Sequence, residues 1–416
     1  MKENLSRKRW IRIIPVVFIT YSLAYVDRAN FGFAAADTMA PELGITPSIS
    51  SLLGSLFFLG YFFFQIPGAY YAAHRSAKRL IFWALILWGM LAAATGLVSH
   101  IGLLIAVRFM LGIVESAVMP AMLILLSHWF TRHERSKANT FLILGNPVTV
   151  LWMSVLSGYL IDSLGWRWMF IIQGLPAVVW AFAWWKMIDE RPGDAGWLSV
   201  AEKVRINAAL LEEQNGIVPV KNYKAAFTSK PVILLCVQYL LWSFGVYGFV
   251  MWLPSMINAA PDMDMVTTGW LSAVPYIAAI MGMIVSSYYS DKTLNRRIFI
   301  WPSLLVGAVA MVGSCLAGTG NFWVSFTLLV IAGGAMYAPY GPFFSAITEI
   351  LPGNVAGGAI GLINSMGALG SFAGAYLVGY LNGATGGFGT SYLIMAGALL
   401  GSAIITMMVV KGDRGL

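Results

Sequence analysis

Asp27, Arg28, Arg108 and Glu115 are charged residues set inside stretches that otherwise read as membrane-crossing helices. On insertion scales an ionised group at the bilayer centre costs about 2.5–3.5 kcal/mol, so four together approach roughly 10 kcal/mol. A helix facing lipid cannot offset that. The four groups must face one another, or a water-filled cavity inside a helix bundle. Two acids and two arginines around one cavity point to proton binding coupled to anion binding. Arginine keeps its proton and grips carboxylates in a fork, so Arg28 and Arg108 are candidate anion binders or partners of the acids. Burial and a neighbouring cation pull a carboxylate's protonation in opposite directions, which makes Asp27 and Glu115 the candidate proton carriers.

Spacing refines this. Asp27 and Arg28 are adjacent, hence about 100° apart around a helix, and cannot serve one small group alike. Arg28 shares a face with Tyr21 and Tyr25. Arg108 and Glu115 stand seven apart, on nearly one face and about 10 Å apart along the axis. They can straddle a cavity but cannot pair directly without bending or a third group. The plainer reading is an ion-pair network that ties two helices together. Both readings hold if a carboxylate grips an arginine when ionised and releases it when protonated.

These residues need a membrane bundle to hold them, and the composition supplies one. The 416 residues are 59% hydrophobic and 11% charged, against about 25% charged in soluble domains, with a mean hydropathy of +0.76. This is a polytopic helical membrane protein in contact with a lipid bilayer. The net charge of +8 forms no single patch, so nucleic acid is not an expected partner. Cys236 and Cys315 lie in apolar spans and read as small buried hydrophobes. His74, His100, His128 and His133 do not cluster, and no metal or disulfide spacing is present. No phosphate loop, nucleophile elbow or in-span cluster of nucleophile, base and metal ligands argues for a membrane enzyme. No cofactor is expected. The first apolar run superficially fits a secretory signal, but it is too long and contains Asp27 and Arg28.

Twelve spans can be drawn, at roughly 11–36, 48–72, 80–99, 101–126, 137–161, 168–187, 228–257, 267–289, 298–317, 321–348, 355–382 and 388–410. The expected fold is all-α: six helices in residues 1–187, a polar cytoplasmic linker at 188–227 with a helix-like run from Leu198 to Gln214, and six helices in residues 228–416. All but three of the 26 lysines and arginines fall on one side; Arg28 and Arg108 are intramembrane and Arg167 lies in a loop on the other side. The positive-inside bias puts both termini in the cytoplasm.

An internal repeat supports two halves. Tyr70–Arg79 echoes Tyr288–Arg297, Gly112…Glu115…Pro120 echoes Gly334…Tyr337…Pro342, and Asn146 echoes Asn364. Duplicated halves of this kind mark transporters with a site at the repeat interface. The second half carries no charge inside its spans between Val232 and Tyr289, or between Ile298 and Thr348. It offers Trp242, Tyr247, Tyr337, Tyr340, Ser345 and Asn364 instead. Two prolines, Pro339 and Pro342, signal a broken helix beside Tyr337 and Tyr340.

The two bundles, the linker and the Tyr288–Arg297 loop resemble the major facilitator superfamily. Ala24–Asn30 in span one, Arg108-Phe109…Gly112-Ile113…Glu115 in span four and His128-Trp129-Phe130…Glu134-Arg135…Ala138 after it are similar to its anion:cation symporter branch. That branch carries organic anions, among them hexonates, hexuronates, tartrate and aromatic acids, mostly with protons. The resemblance implies proton coupling at Asp27 and Glu115, and substrate or coupling roles for Arg28 and Arg108. It also implies cavity positions at Tyr61, Asn146 and Asn364; Tyr337 and Tyr340 join them because they stand mid-span beside prolines. The loop after span two departs from the pattern: Ala73 and Ser76 stand where an acid and a glycine are usual. The second-half loop keeps Asp291, which with Arg296 and Arg297 is expected to carry the gating latch.

The expected function is proton-coupled import of a small organic anion by a monomer in a bacterial inner membrane, driven by the proton gradient. A sugar acid, aldonate or hexuronate, or a related hydroxycarboxylate comes first and an aromatic acid second. Proton-coupled antiport and anion uniport are the other mechanisms.

Overall fold

The computed structural model describes residues 6–36, 39–214, 227–260, 263–293, 295–350 and 353–409, and over these the protein is built of helices. The first half opens with α1 (Lys8–Ala36), α2 (Pro47–Tyr71) and α3 (Ala77–Thr95). A single π-helical turn, Ala72–Ser76, joins α2 to α3. α4 runs as two pieces, Ile101–Ser116 and Val118–Ser127. The next helical stretch, Arg132–Met187, is 56 residues long. At 1.5 Å per residue that is about 84 Å, far more than the ~30 Å core of a bilayer. It is two crossings, α5 (132–164) and α6 (166–187), hinged at Gly165, whose φ of 80° suits a residue without Cβ. Gln173 Nε2 donates to Ser157 Oγ at 2.8 Å. In a straight helix those atoms would sit about 24 Å apart, so α6 folds back along α5.

The second half comprises α7 (Lys230–Asn258), α8 (Met265–Thr293), α9 (Arg296–Ala317), α10 (Phe322–Tyr337, then Tyr340–Ile350), α11 (Gly353–Thr385) and α12 (Gly389–Val409). Among the described residues eleven helices are long and apolar enough to cross a membrane. The break at Gly165 turns one of them into two, giving twelve crossings. α3 exposes Trp83, Leu87 and Met90, a stripe at helical spacing that suits lipid and not water.

The breaks in α4 and α10 have one cause. Pro120 and Pro342 have no N–H for the carbonyl four residues back, and their rings crowd it. Those carbonyls belong to Ser116 and Ala338, where each helix stops. The sequence echo between the two halves is therefore also a structural one. Pro120 divides span four, drawn in the sequence as 101–126, just after Glu115.

At one end of the molecule the linker packs on the first half. Trp197 stacks on Trp129 with ring centres 5.4 Å apart, and Lys8 pairs with Glu202 at 3.3 Å. The linker helix, Val200–Gln214, starts at a capping box in which Ser199 and Glu202 bond reciprocally. Residues 215–226 of the linker lie outside the described residues. At the opposite end the halves approach backbone to backbone. A Cβ at Gly158 of α5 would sit 2.6 Å from the Met265 carbonyl oxygen of α8, and one at Gly269 2.8 Å from that of Ser154. Gly32 of α1 packs in the same way against Met251 of α7. α2 and α11 also pack along each other, across the two halves.

Candidate functional site

α1 and α4 carry the four charged residues to one place, and all four are buried, from 0% exposure at Glu115 to 4% at Arg28. The ion pair runs between the helices: Arg28 Nε lies 3.3 Å from Glu115 Oε2. Arg108, seven residues before Glu115, does not pair with it. Its Nη1 donates to the backbone carbonyl of Asp27 and its Nε to that of Leu53, both at 3.4 Å. Each of the four still has an atom without a partner: Asp27 Oδ1, Glu115 Oε1, Arg28 Nη2 and Arg108 Nη2. Buried polar groups are almost always bonded, and exceptions concentrate where a ligand, ion or water enters.

Aromatic rings supply what the ion pair leaves open. The Arg28 guanidinium stands over Tyr61 at 4.8 Å, Tyr25 at 5.2 Å and Phe57 at 5.5 Å. That of Arg108 stands over Phe31 at 4.7 Å and Phe57 at 5.9 Å. Ring faces attract desolvated cations by about 0.5–2 kcal/mol each. Phe57 is in contact with both arginines.

Beside this cluster lies a cavity walled by α1, α2, α4 and α5 on one side and α7, α10 and α11 on the other. It occupies the interface of the two halves. Of the four charged residues Arg28 alone lines it; Asp27, Arg108 and Glu115 lie behind the wall. Tyr61, Asn146, Tyr340 and Asn364, all singled out in the sequence, lie on the wall. Tyr337 stands behind it, fully buried, its hydroxyl donating to Asn146 Oδ1 at 3.4 Å across the halves. Gln65 Oε1 and Asn364 Nδ2 are buried at the cavity without partners.

Sequence reasoning passed over Phe57, Phe58, Gln65, Tyr239 and Ser243 as wall residues, and named Tyr247 only among the polar and aromatic groups of the second half. For Tyr247 a signal existed. It stands 222 positions after Tyr25, the offset that also relates Pro120 to Pro342. The two hydroxyls meet at 2.9 Å, joining α1 to α7 at the centre of the molecule.

The expected gating residues lie at the linker end of α8 and α9. The side chain of Asp291 lies outside the described residues. Arg296 is buried, with Nη1 donating to Ser290 Oγ at 3.0 Å, and Arg297 is half-buried. In the first half the position without an acid is served from elsewhere. Glu190, just past α6, accepts from Ser76 Oγ at 2.6 Å and from the backbone N–H groups of Ala77 and Lys78 at 3.0 Å. It caps α3, placing negative charge at a helix N-terminus whose donors would otherwise be unmet. Among the described residues no group of three or more His, Cys, Asp or Glu side chains could hold a metal.

Residues 17–375 match the family described as Major Facilitator Superfamily. A putative tartrate transporter of Agrobacterium vitis is 30% identical to this chain over 98% of its length and 95% of the relative's. The D-galactonate transporter of Escherichia coli is 26% identical, over 97% of this chain and 96% of that one. Among solved structures, the E. coli xylose transporter XylE in a partially occluded inward open conformation aligns with a TM-score of 0.78 at 13% identity. That alignment covers 98% of this chain and 99% of XylE, and it speaks to the fold.

Proposed function

The chain belongs to the major facilitator superfamily, and from that premise we propose that it is a proton-coupled symporter importing a small organic anion, first of all a sugar acid, by alternating access. It is a multi-pass membrane transporter, not an enzyme. The observation that carries the finer reading is the Arg28–Glu115 pair. The cation on the cavity wall is held from behind by a carboxylate that can be neutralised by a proton.

The coupling follows from charge balance. While Glu115 is ionised it occupies Arg28 and competes with a substrate carboxylate for it. A proton on Glu115 frees Arg28 Nε, and the substrate carboxylate takes over as counter-ion. The buried cluster then gains no net charge on loading, which a low-dielectric site strongly favours. Loss of the proton on the inner side returns Glu115 to Arg28 and expels the anion. Asp27, with Oδ1 unpartnered near Arg108, is the second proton carrier in this scheme. The remaining wall suits a hydroxylated tail: Asn146, Asn364 and Gln65 amides and the Ser243 hydroxyl can both donate and accept.

The two halves, 1–187 and 228–416, rock about this site with the 188–227 linker as tether. The basic linker end faces the cytoplasm of a bacterium, with the protein in the inner membrane. The glycine contacts at Gly158, Gly269 and Gly32 close the external side. Tyr239, Tyr340 and Phe344 on the wall favour an aromatic acid as the second substrate reading.

Reconstitution into liposomes tests the mechanism. Labelled D-galactonate and benzoate should accumulate against a gradient when the outside is acidified, and a protonophore should abolish accumulation. Uptake that only equilibrates would replace symport with uniport.

A further inference from the structure

The cavity wall sets how much negative charge a substrate can carry. Among the described residues eighteen line the cavity, and one of these, Arg28, is charged. The rest are hydroxyls, amides, thioether, aromatic and aliphatic groups. The second cation of the cluster, Arg108, is near enough to matter and yet withheld. The Phe57 ring, which does line the cavity, lies 5.5 Å from the Arg28 guanidinium and 5.9 Å from that of Arg108. Phe31 covers Arg108 from a further direction, at 4.7 Å. Its Nε and Nη1 are taken by the carbonyls of Leu53 and Asp27.

We propose that this site accepts a monoanion, one carboxylate on Arg28 with a neutral tail toward Ser243 and Asn364, and rejects dianions, because Phe57 walls Arg108 off from the cavity. The inference rests on the organic-anion reading above and narrows it. A second carboxylate in this cavity would lose its hydration and meet only neutral groups. An unpaired buried charge is among the most costly features a binding site can hold. Neutral hydroxyls in the same place find donors and acceptors. Aldonates and aromatic monocarboxylates pass this criterion; aldarates and tartrate do not.

Two charge series on fixed skeletons provide the test, with binding to the purified full-length protein read by isothermal titration at pH 7. The first is galactitol, D-galactonate and galactarate, carrying zero, one and two charges. The second is benzamide, benzoate and terephthalate. In whichever series binds, the monoanion should bind at least about tenfold more tightly than the dianion, the ratio that ~1.4 kcal/mol produces. A dianion binding as tightly as its monoanion overturns the monoanion inference and leaves the organic-anion reading standing. A neutral member binding as tightly as its monoanion, or failure of both monoanions to bind, overturns the organic-anion reading itself. The variant Phe57→Ala assigns the cause: with Arg108 uncovered, dianion affinity should rise relative to monoanion affinity. An unchanged ratio in a folded Phe57→Ala protein removes Phe57 from the explanation. Phe57→Leu, which keeps most of the apolar bulk, should preserve the parent ratio.

Discussion

Arg28 Nε and Glu115 Oε2 stand 3.3 Å apart across two helices, both side chains are cut off from water, and the arginine alone of the pair reaches the cavity. The relationship orders the cluster into a front and a back. A ligand meets the cation first, and the acid behind it determines whether that cation is available.

The first expected outcome concerns Arg28. Arg28→Ala should abolish carboxylate binding, because no other wall residue among those described carries positive charge. Arg28→Lys keeps the charge but loses the planar fork and its three ring contacts. Its affinity should fall by about tenfold or more, equivalent to roughly 1.4 kcal/mol. Titration calorimetry on both variants checks this, and parental affinity in Arg28→Ala would remove Arg28 from the site.

Glu115→Gln imitates the protonated acid permanently. Substrate binding to this variant should lose its pH dependence, since Arg28 is never reclaimed by a carboxylate. Proton-driven accumulation should disappear while exchange of labelled for unlabelled substrate persists. Counterflow in proteoliposomes separates the two. Asp27→Asn should also lose accumulation, with less effect on affinity because Asp27 does not line the cavity. Full accumulation in both variants would rule out these acids as carriers.

Glycine contacts should divide by location. Gly158 of α5 meets Met265 of the other half, whereas Gly112 of α4 meets Phe57 of its own half. Gly158→Leu should therefore wedge the external closure apart and favour the outward-open state with the fold intact. Even about 1.4 kcal/mol shifts that equilibrium tenfold. Gly112→Ala should instead lower thermal stability, since its Cβ would strike backbone that cannot retreat. Spin-label distances across the external mouth read the first, and a melting curve the second. Unchanged distances in Gly158→Leu would place the external closure elsewhere.

The loop clamp at the end opposite the linker gives a pH prediction. Glu42 accepts from Trp166 Nε1 at 2.7 Å and from Arg167 Nη2 at 2.9 Å. These bonds, Trp166 first, hold its carboxyl below the usual carboxylate range. A lowered folded-state pKa contributes stability above the unfolded value of about 4.3, and that contribution is lost as pH falls through the folded value. The melting-temperature gap between parent and Glu42→Gln should be small, because the side chain is half exposed. It should stay constant from pH 5 to 8 and shrink only in stronger acid. A gap that changes between pH 5 and 8 would mean another group titrates there.

The chain order alone fixes a good deal, for reasons that are one-dimensional. Bilayer thickness sets the length of an apolar run, so the crossing helices are legible from composition, and prolines mark their breaks by removing a donor at a known offset. Insertion cost by itself singles out Asp27, Arg28, Arg108 and Glu115, because it depends only on residue type and depth along an apolar run. The duplication puts Tyr25 opposite Tyr247, although only their contact in space shows why the spacing matters.

What tertiary structure decided is which of these groups face each other and which face the cavity. Helical periodicity ranks Arg28 and Arg108 alike, as buried cations on facing helices. The crossing of α1, α2 and α4 turns one toward the space between the halves and seals the other behind Phe57. Phe57 does not stand out in a run of apolar residues, since a sequence pattern records burial but not what a ring covers. Glu190 is equally silent, because capping α3 from more than a hundred residues away depends on α6 bringing it there. Residue type and spacing specify the chemistry that is present; the packing of helices that are distant in sequence specifies which of it a substrate can reach.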